Sequence, residues 1–191
     1  MEIFMKRNNL ILTNSFLLLI LLLAFTGCTQ STEVEERNWN LVWQDEFNTD
    51  GALDAAKWTY DLGAGGWGNN ELQTYSNDES NVVVDGGYLK ITAQRSGTSF
   101  SSARIKTQGL FAQAYGRFEA RIKMPWGPGI WPAFWLLGDD IDTNPWPQCG
   151  EIDIMEYRGQ QPSLINGTVH GPGYSGGAAI SKSYGLEADR F

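Results

Sequence analysis

Gly150-Glu151-Ile152-Asp153-Ile154-Met155-Glu156-Tyr157 is the most informative segment of the chain, because it places three carboxylates within an apolar strand. Side chains alternate between the two faces of a strand. Glu151 and Asp153 therefore share one face, and Ile152 and Ile154 point from the other face into a core.

Glu156 breaks this alternation. Five residues after Glu151, it would lie on the core face of a regular strand. One extra residue accommodated at Met155 as a β-bulge would return Glu156 to the face of the other two acids. We predict that bulge.

Short apolar runs recur on both sides of this segment, separated by turn signals rich in glycine and proline. The runs are 41–43, 81–84, 88–93, 103–107, 114–124, 130–137, 151–157 and 165–170, and the turn signals are 85–87, 125–129, 144–145 and 171–173. The chain has 22 glycines, 13% aromatic residues and no convincing long amphipathic helix. This pattern indicates an all-β protein, either a sandwich or a barrel.

The longest run, 114–124, alternates clearly and is predicted to be a strand. Its apolar face is expected to be core, and its polar face favours solvent over the floor of a cleft. The apolar set is Phe118, Ala120, Ile122 and Met124, and the polar set is Tyr115, Arg117, Glu119, Arg121 and Lys123.

Length and charge limit the possible functions. The 191 residues, 42% of them hydrophobic, suffice for one domain with a real core. The net charge is -8, and loss of the first 27 residues would leave 12 basic against 21 acidic residues. Nucleic acid is therefore excluded as a partner, and a neutral polymer is favoured over a polyanionic substrate.

The N-terminus has the layout of a secretory signal peptide over residues 1–27, with Lys6 and Arg7 before the apolar run 10–24. The alternative is an uncleaved anchor helix. Small residues before Cys28 resemble a bacterial lipobox, which predicts a lipid-anchored, exported protein. Residues 28–38 are polar and indicate a linker, and the folded domain begins at Trp39.

The other cysteine, Cys149, is not expected to take part in the chemistry. A disulfide between Cys28 and Cys149 is the alternative to lipidation. Cys149 shares strand parity with Glu151, and we interpret it as a thiol in the core or at the rim of the cleft.

Two carboxylates on one strand face can act as nucleophile and general acid on the same bond. With the bulge, the Cα atoms of Glu151 and Glu156 would lie roughly 13 Å apart, and inward-leaning side chains would leave a gap of about 5 to 6 Å. Retaining glycosidases need about 5 to 5.5 Å, whereas inverting ones need about 6.5 to 9.5 Å. The spacing predicts retention.

Three like charges on one face cannot all ionise without cost, so one of these carboxyls is expected to have a raised pKa. We assign Glu151 as nucleophile, Glu156 as acid/base and Asp153 as the residue that hydrogen-bonds Glu151. Spacing alone does not fix which glutamate has which role. An acidic edge strand or a calcium site is the alternative interpretation.

The eight tryptophans divide into core and cleft candidates. Trp131 and Trp135 are four residues apart and so share a strand face, where they could stack on sugar rings. Trp126 and Trp146 lie in predicted loops and could line a rim. Core packing is expected for Trp39, Trp43 and Trp58.

Several motifs together resemble glycoside hydrolase family 16, and within it the laminarinases, which are endo-acting β-1,3-glucanases. The resemblance runs from about Trp39 to the end of the chain. The motifs are Asp-Glu-Phe at 45–47, Gly-Trp-Gly-Asn-Asn-Glu-Leu-Gln at 66–73, Gly-Arg-Phe-Glu-Ala-Arg-Ile-Lys-Met-Pro at 116–125, Trp-Pro-Ala-Phe-Trp at 131–135 and Glu-Ile-Asp-Ile-Met-Glu at 151–156.

The resemblance implies a concanavalin-like β-jelly roll of two antiparallel sheets, with a glucan across the concave face. It implies that Glu151 is the nucleophile and Glu156 the acid/base. It also implies that the catalytic domain, of which 39–191 would be the N-terminal portion, continues beyond residue 191. No cofactor is required by this chemistry, and a monomer is expected.

Further site residues are implied by the resemblance alone. Substrate contacts would come from Asn69, Glu119, Arg121, Trp131, Trp135 and the single histidine, His170. For Glu119 and Arg121 this implication replaces the solvent-facing interpretation of their strand. A structural calcium would use Glu46 and the Gly87 carbonyl, with a third ligand beyond residue 191.

The leading hypothesis is a retaining endo-β-1,3-glucanase. One alternative is a family-16 enzyme acting on another β-glucan or on a galactan. The other is a glucan-binding module without catalysis.

Overall fold

Eleven strands and no α-helix make up residues 38–186, the part of the chain that the computed structural model describes. The strands are β1 (Thr59–Asp61), β2 (Gln73–Tyr75), β3 (Val82–Val84), β4 (Leu89–Ile91), β5 (Gln94–Ser96), β6 (Ser99–Ser102), β7 (Arg104–Lys106), β8 (Ala133–Leu137), β9 (Glu151–Tyr157), β10 (Leu164–His170) and β11 (Ile180–Gly185). Two 3₁₀ turns, Gly66–Gly68 and Gly176–Ala178, complete the elements.

The N-terminal predictions fall almost entirely outside the described residues. These are the signal peptide over 1–27, lipidation at Cys28 and the linker over 28–38. The residues from Trp39 onward form one unit of the chain. Within residues 38–186, no helix has the length and apolar character needed to span a membrane.

The largest sheet is antiparallel, with strand order β11-β10-β9-β8, so β9 is an inner strand with a partner on each side. Its β-branched isoleucines suit the pleated surface. On one side Phe134 pairs with Met155 while Trp135 pairs with Asp153, which leaves Ile154 without an opposite residue. The ladder to β10 shifts at the same point. The predicted bulge is confirmed, and it lies at Ile154 and Met155.

Three smaller sheets accompany this one: β1-β7, β2-β6-β5 and β3-β4. Every pairing is antiparallel except that of β2 with β6, which is parallel. The buried cluster of the molecule lies here, because the alternation of β3 turns Val82 and Val84 to one side. They meet Leu53 and Ala103, and a ring of partly buried side chains surrounds the four: Phe47, Trp58, Tyr60, Leu89 and Ile105.

The predicted strand over 114–124 is wrong, as is the short one over 41–43, since neither range forms a strand. A strand requires a partner along its edge, and within residues 38–186 no segment forms a ladder with 114–124. Its apolar alternation still decides where it lies. Phe118, Ala120, Ile122 and Met124 line a cleft of about 320 Å³ together with residues of the largest sheet, including Phe134 and Ile154.

The expectation that Ile152 and Ile154 point into a core is also wrong. Both lie on the face opposite the acids, as predicted, but they are 47% and 36% exposed. The 114–124 segment approaches only part of this face and leaves a cleft beside Ile154. On the same face, Met155 and Tyr157 are buried.

Five strands were not predicted from the sequence: β1, β2, β5, β6 and β11. Most are short and rich in Ser, Thr, Gln and charged residues, so no apolar period marks them. β11 is exposed along its whole length. Such strands are held by backbone ladders to their neighbours more than by their own side chains.

A buried asparagine links three segments around the small sheets. The Asn81 amide donates to the Thr92 carbonyl at 2.8 Å and to Ser101 Oγ at 3.1 Å, and its oxygen accepts from Ser76 Oγ at 2.9 Å. The side chain is almost fully buried. Its hydrogen bonds thus fix the β2–β3 connection against the end of β4 and against β6.

Asn81→Ala is expected to lower the free energy of unfolding by roughly 3 kcal/mol, because buried polar partners lose their hydrogen bonds. Urea denaturation followed by tryptophan fluorescence measures the change. The exposed Asn77→Ala variant on the same connection is the matched control. Equal stabilities for the two variants would contradict the assignment.

Candidate active site

The three acids of β9 share one face of the largest sheet, as the bulge requires. The residues opposite them on the neighbouring strands point the same way, because directly paired side chains lie on one face. Glu151 pairs with Leu137 and His170, Asp153 with Trp135 and Thr168, and Glu156 with Ala133 and Asn166. This acid face therefore carries carboxylates in the centre, aromatic and apolar groups on β8, and polar groups on β10.

Glu151 is held by a tryptophan from the preceding loop. Trp146 Nε1 donates to Glu151 Oε2 at 2.6 Å. The loop folds back on itself, since the Gly138 N–H donates to the Gly150 carbonyl at 3.1 Å. Trp146 is 44% exposed, so the bond is accessible from solvent. The loop position anticipated for Trp146 is correct, but its role as a hydrogen-bond donor to a carboxylate was not predicted.

Glu156 is held by a second indole. Trp131 Nε1 donates to Glu156 Oε1 at 3.0 Å, and Thr168 Oγ1 donates to Glu156 Oε2 at 3.3 Å. The Arg158 guanidinium lies 5.5 Å from the centre of the Trp131 ring, within range of a cation–π contact. Both glutamates thus have one oxygen fixed by a tryptophan N–H, which sets the orientation of each carboxylate.

Asp153 is the buried member of the three, with 5% of its surface exposed. Burial, followed by the charge of Glu151, a hydrogen bond to Glu151 and the charge of Glu156, raises the pKa of Asp153 to about 8. The raised pKa expected for one carboxyl of the cluster therefore belongs to Asp153. At neutral pH it is a neutral acid that can donate a hydrogen bond to Glu151.

His170 is the second residue that contacts the Asp153 carboxyl. His170 Nε2 lies 3.2 Å from Asp153 Oδ2, and His170 Nδ1 accepts a hydrogen bond from the Gly176 backbone N–H at 3.1 Å. The Trp146 ring lies 5.8 Å from the imidazole, centre to centre. The structure thus places the single histidine among the acids.

Glu151, Asp153 and His170 are also the one set within residues 38–186 whose ligand atoms lie close enough, within 4.8 Å, to share a metal ion. The histidine does not suit that role. Its Nδ1 accepts from Gly176, so the neutral ring carries its proton on Nε2, the nitrogen that would have to bind the metal. This arrangement favours proton chemistry over metal binding.

Trp135 lies on the acid face opposite Asp153. The Arg104 guanidinium lies 4.6 Å from the Trp135 ring and 5.0 Å from the Trp67 ring. Arg104 Nε also pairs with Asp61 at 2.9 Å. Neither Arg104 nor Trp67 was predicted as a site residue. The available signal for Arg104 was the pair of cations, Arg104 and Lys106, on one face of the run 103–107.

Asn69 directly follows the first 3₁₀ turn, Gly66–Gly68, which contains Trp67. Its side-chain amide donates to Glu71 Oε1 at 3.3 Å, and Gln73 and Tyr75 donate to Glu71 Oε2 at 2.6 Å each. Burial and the neighbouring Glu71 raise the pKa of Tyr75 to about 12. A role for Asn69 in substrate binding stays a prediction.

Glu119 and Arg121 have partners other than the three acids. Glu119 pairs with Arg117 at 2.7 Å, and the Arg121 guanidinium lies 5.9 Å from the Tyr88 ring. Within residues 38–186 no hydrogen bond or ion pair joins either residue to the three carboxylates. Their substrate-contact role stays a prediction.

The calcium prediction at Glu46 and Gly87 is likewise open. Both residues are exposed, and Gly87 lies in the β3–β4 turn. Asp50, four residues after Glu46, accepts from the Gly86 N–H at 2.9 Å, so the two segments are adjacent. Adjacent carboxylate and carbonyl oxygens are ligands suited to Ca²⁺.

Known proteins resemble the chain in sequence and in fold. A β-glucanase of Rhodothermus marinus is 42% identical over 178 residues, which cover 90% of this chain and 62% of that protein. The glucan endo-1,3-beta-glucosidase A1 of Niallia circulans is 42% identical over 149 residues, covering 69% of this chain and 22% of that protein.

Solved structures also resemble the chain in fold. The crystal structure of the laminarinase from Rhodothermus marinus matches with a TM-score of 0.76 at 43% identity, over 80% of this chain and 64% of that one. The chain thus spans less than two thirds of the length of these relatives. The predicted all-β, jelly-roll class is confirmed.

The family match covers most of the described unit. Residues 69–190 match the family described as Glycosyl hydrolases family 16, and this range contains the three acids, both indole donors and His170. The chain belongs to glycosyl hydrolase family 16.

Proposed function

We propose that the protein cleaves β-1,3-glucan within the chain, with retention of configuration at the anomeric carbon. The observation that carries the proposal is the bulge in β9. It puts Glu151 and Glu156 on one face, and each is oriented by a tryptophan N–H. The relatives named as laminarinases and endo-1,3-beta-glucosidases support β-1,3-glucan as the substrate.

In the first step, Glu156 in its acid form gives its proton to the leaving glycosidic oxygen. The Glu151 carboxylate attacks the anomeric carbon from the opposite side, and the carbon–oxygen bond to the leaving sugar breaks. The Trp146 indole N–H donates a hydrogen bond to Glu151 Oε2. The other oxygen, Oε1, is therefore the one available for attack.

In the second step, the Glu156 carboxylate removes a proton from water, and the water oxygen displaces Glu151 from the sugar. Thr168 and Trp131 hold one oxygen of Glu156 each, which keeps the same side chain in place for both steps. The enzyme returns to its starting protonation state. Two carboxylates and water complete the reaction, so we propose no catalytic cofactor.

The protonation state of Asp153 controls the electrostatic environment of Glu151. Ionised, it would add a third negative charge beside the nucleophile. Neutral, it donates a hydrogen bond that stabilises the Glu151 carboxylate as the leaving group of the second step. The burial of Asp153 thus serves the chemistry of Glu151.

The acid face also suits a neutral sugar chain. The Trp131 and Trp135 rings offer flat apolar surfaces to sugar C–H groups, and polar side chains of β10 and β11 offer hydroxyl partners. We propose an exported, lipid-anchored monomer carrying this site, with Glu46 and Gly87 as calcium ligands.

Glu151→Gln is expected to reduce hydrolysis of laminarin roughly 1000-fold or more, because an amide cannot attack the anomeric carbon. Proton NMR of the unmodified enzyme should show the β-anomer of the new reducing end first. The exposed Glu79→Gln variant is the control. An unmodified protein that cleaves lichenan or agarose but not laminarin would contradict the substrate.

Glu156→Gln separates the two roles. On an aryl glucoside with a nitrophenolate leaving group, the first step needs no acid, so this variant should release a burst of nitrophenol and then stall. Glu151→Gln should release none. The reverse pattern would exchange the two assignments.

Stability should fall as pH rises from about 4 to about 8, because the folded protein keeps a proton on Asp153 that the unfolded chain releases. The slope from this group is up to about 1.4 kcal/mol per pH unit. In urea unfolding across this pH range, Asp153→Asn should flatten the pH dependence of the free energy of unfolding. The control variant Asp139→Asn, at an exposed position, should leave that dependence unchanged. Identical slopes for all three proteins would refute the assignment.

Cys28→Ser tests the proposed anchor. In bacterial cells, the unmodified chain should incorporate an alkyne-labelled fatty acid and enter the detergent phase of Triton X-114. The serine variant should do neither, since lipidation needs the thiol. Cys149→Ser is the matched control, and a labelled Cys28→Ser protein would contradict lipidation at this residue.

A further inference from the structure

His170 occupies a defined place beside the acids. It is the last residue of β10, directly opposite Glu151 across the sheet. Its side chain is 15% exposed and contacts Asp153, the most buried of the three carboxyls. Neither step of the proposed hydrolysis assigns it a proton transfer.

The second contact of His170 determines its protonation. A backbone N–H can only donate. His170 Nδ1 therefore accepts a hydrogen bond from the Gly176 N–H and carries no proton of its own. A neutral imidazole has one N–H, which must then be on Nε2. Of the two neutral tautomers, the 3₁₀ turn Gly176–Ala178 therefore selects one.

That tautomer determines the role of each Asp153 oxygen. With a proton on Nε2, Asp153 Oδ2 at 3.2 Å has to be the acceptor. The acidic proton of Asp153 then belongs on Oδ1. Glu151 is the carboxylate whose charge and hydrogen bond act on Asp153 most strongly, so it is the acceptor for this proton.

We propose that His170 is a positioning residue: held as the Nε2–H tautomer by the Gly176 N–H, it fixes the Asp153 proton on the oxygen that donates to Glu151. The inference rests on the proposed function, because it assigns Glu151 as the nucleophile. Without this lock, the proton could reside on Oδ2 and point away from Glu151. His170 thus acts on the nucleophile through Asp153.

The surrounding groups leave this chain of hydrogen bonds intact. Glu151 and Glu156 are the other titratable groups that face Asp153, both from its own strand. β8 presents Trp135 at this position, and β10 presents Thr168, whose hydroxyl lies 3.1 Å from Ser181 Oγ and also contacts Glu156. Neither Trp135 nor Thr168 titrates near neutral pH.

The tautomer is directly measurable because the chain has one histidine. In the full chain labelled with ¹⁵N-histidine, long-range ¹H–¹⁵N correlation spectra contain a single imidazole pattern. We expect the Nε2–H tautomer near neutral pH. The Nδ1–H tautomer would overturn the proposal. Ser175→Ala, which keeps the Gly176 N–H, is the control and should leave the pattern unchanged.

Kinetics of two variants separate positioning from packing. His170→Phe fills the space without a donor and should lower kcat roughly tenfold or more, with KM changed less than about threefold. His170→Gln can place an amide N–H near the former Nε2 and should recover most of kcat. Equal losses for both variants would reduce His170 to a packing role and overturn the proposal.

The pH profile provides a second readout. The Nε2–H donor favours the ionised form of Asp153, so its loss in His170→Phe should raise the pKa of Asp153 and extend to higher pH the fall in stability that this carboxyl causes in urea unfolding. An unchanged pH dependence of stability would contradict the proposal. If the unmodified protein cleaves no glucan, the proposed function fails, whereas the imidazole spectrum still decides the tautomer.

Discussion

The β-bulge at Ile154 and Met155 is the constraint on which the site depends. In a strand of strict period two, Glu156 would project to the apolar face beside Ile152, where a charged carboxylate is costly to bury. The extra residue instead turns Glu156 to the acid face. It also leaves Ile154 and Met155 together on the apolar side, where both line the cleft shared with 114–124.

The bulge concentrates negative charge, and the surrounding residues offset the cost. Two indole N–H groups, one from the loop before β9 and one from the residues just before β8, donate to the outer glutamates. The central carboxyl is left buried and becomes neutral instead of ionised. The acid face therefore needs no buried cation beside its carboxylates. Arg104 is a cation near the rings of Trp67 and Trp135 at the border of the site, and it pairs with Asp61.

The two faces of the largest sheet differ in how completely they are covered. On the acid face, every carboxylate has a donor or a neutral partner. On the apolar face, Met155 and Tyr157 are buried while Ile152 and Ile154 remain partly exposed. The main buried cluster lies instead around β3, where Val82 and Val84 pack with Leu53 and Ala103. The strand β9, which carries the three acids, thus lies outside that buried cluster.

The amino-acid sequence by itself determined the bounds of β9, its bulge and the shared face of its three acids, because side-chain alternation is a local property of the backbone. It did not determine that 114–124 forms no ladder within residues 38–186, since a strand exists only where a second edge meets it. The donors to Glu151 and Glu156 also lay beyond its reach. Trp146 and Trp131 come to the carboxylates through loop geometry, and His170 acquires its tautomer from Gly176, six residues away. Hydrogen bonds of this kind depend on where loops end in space, and only the tertiary structure decides that.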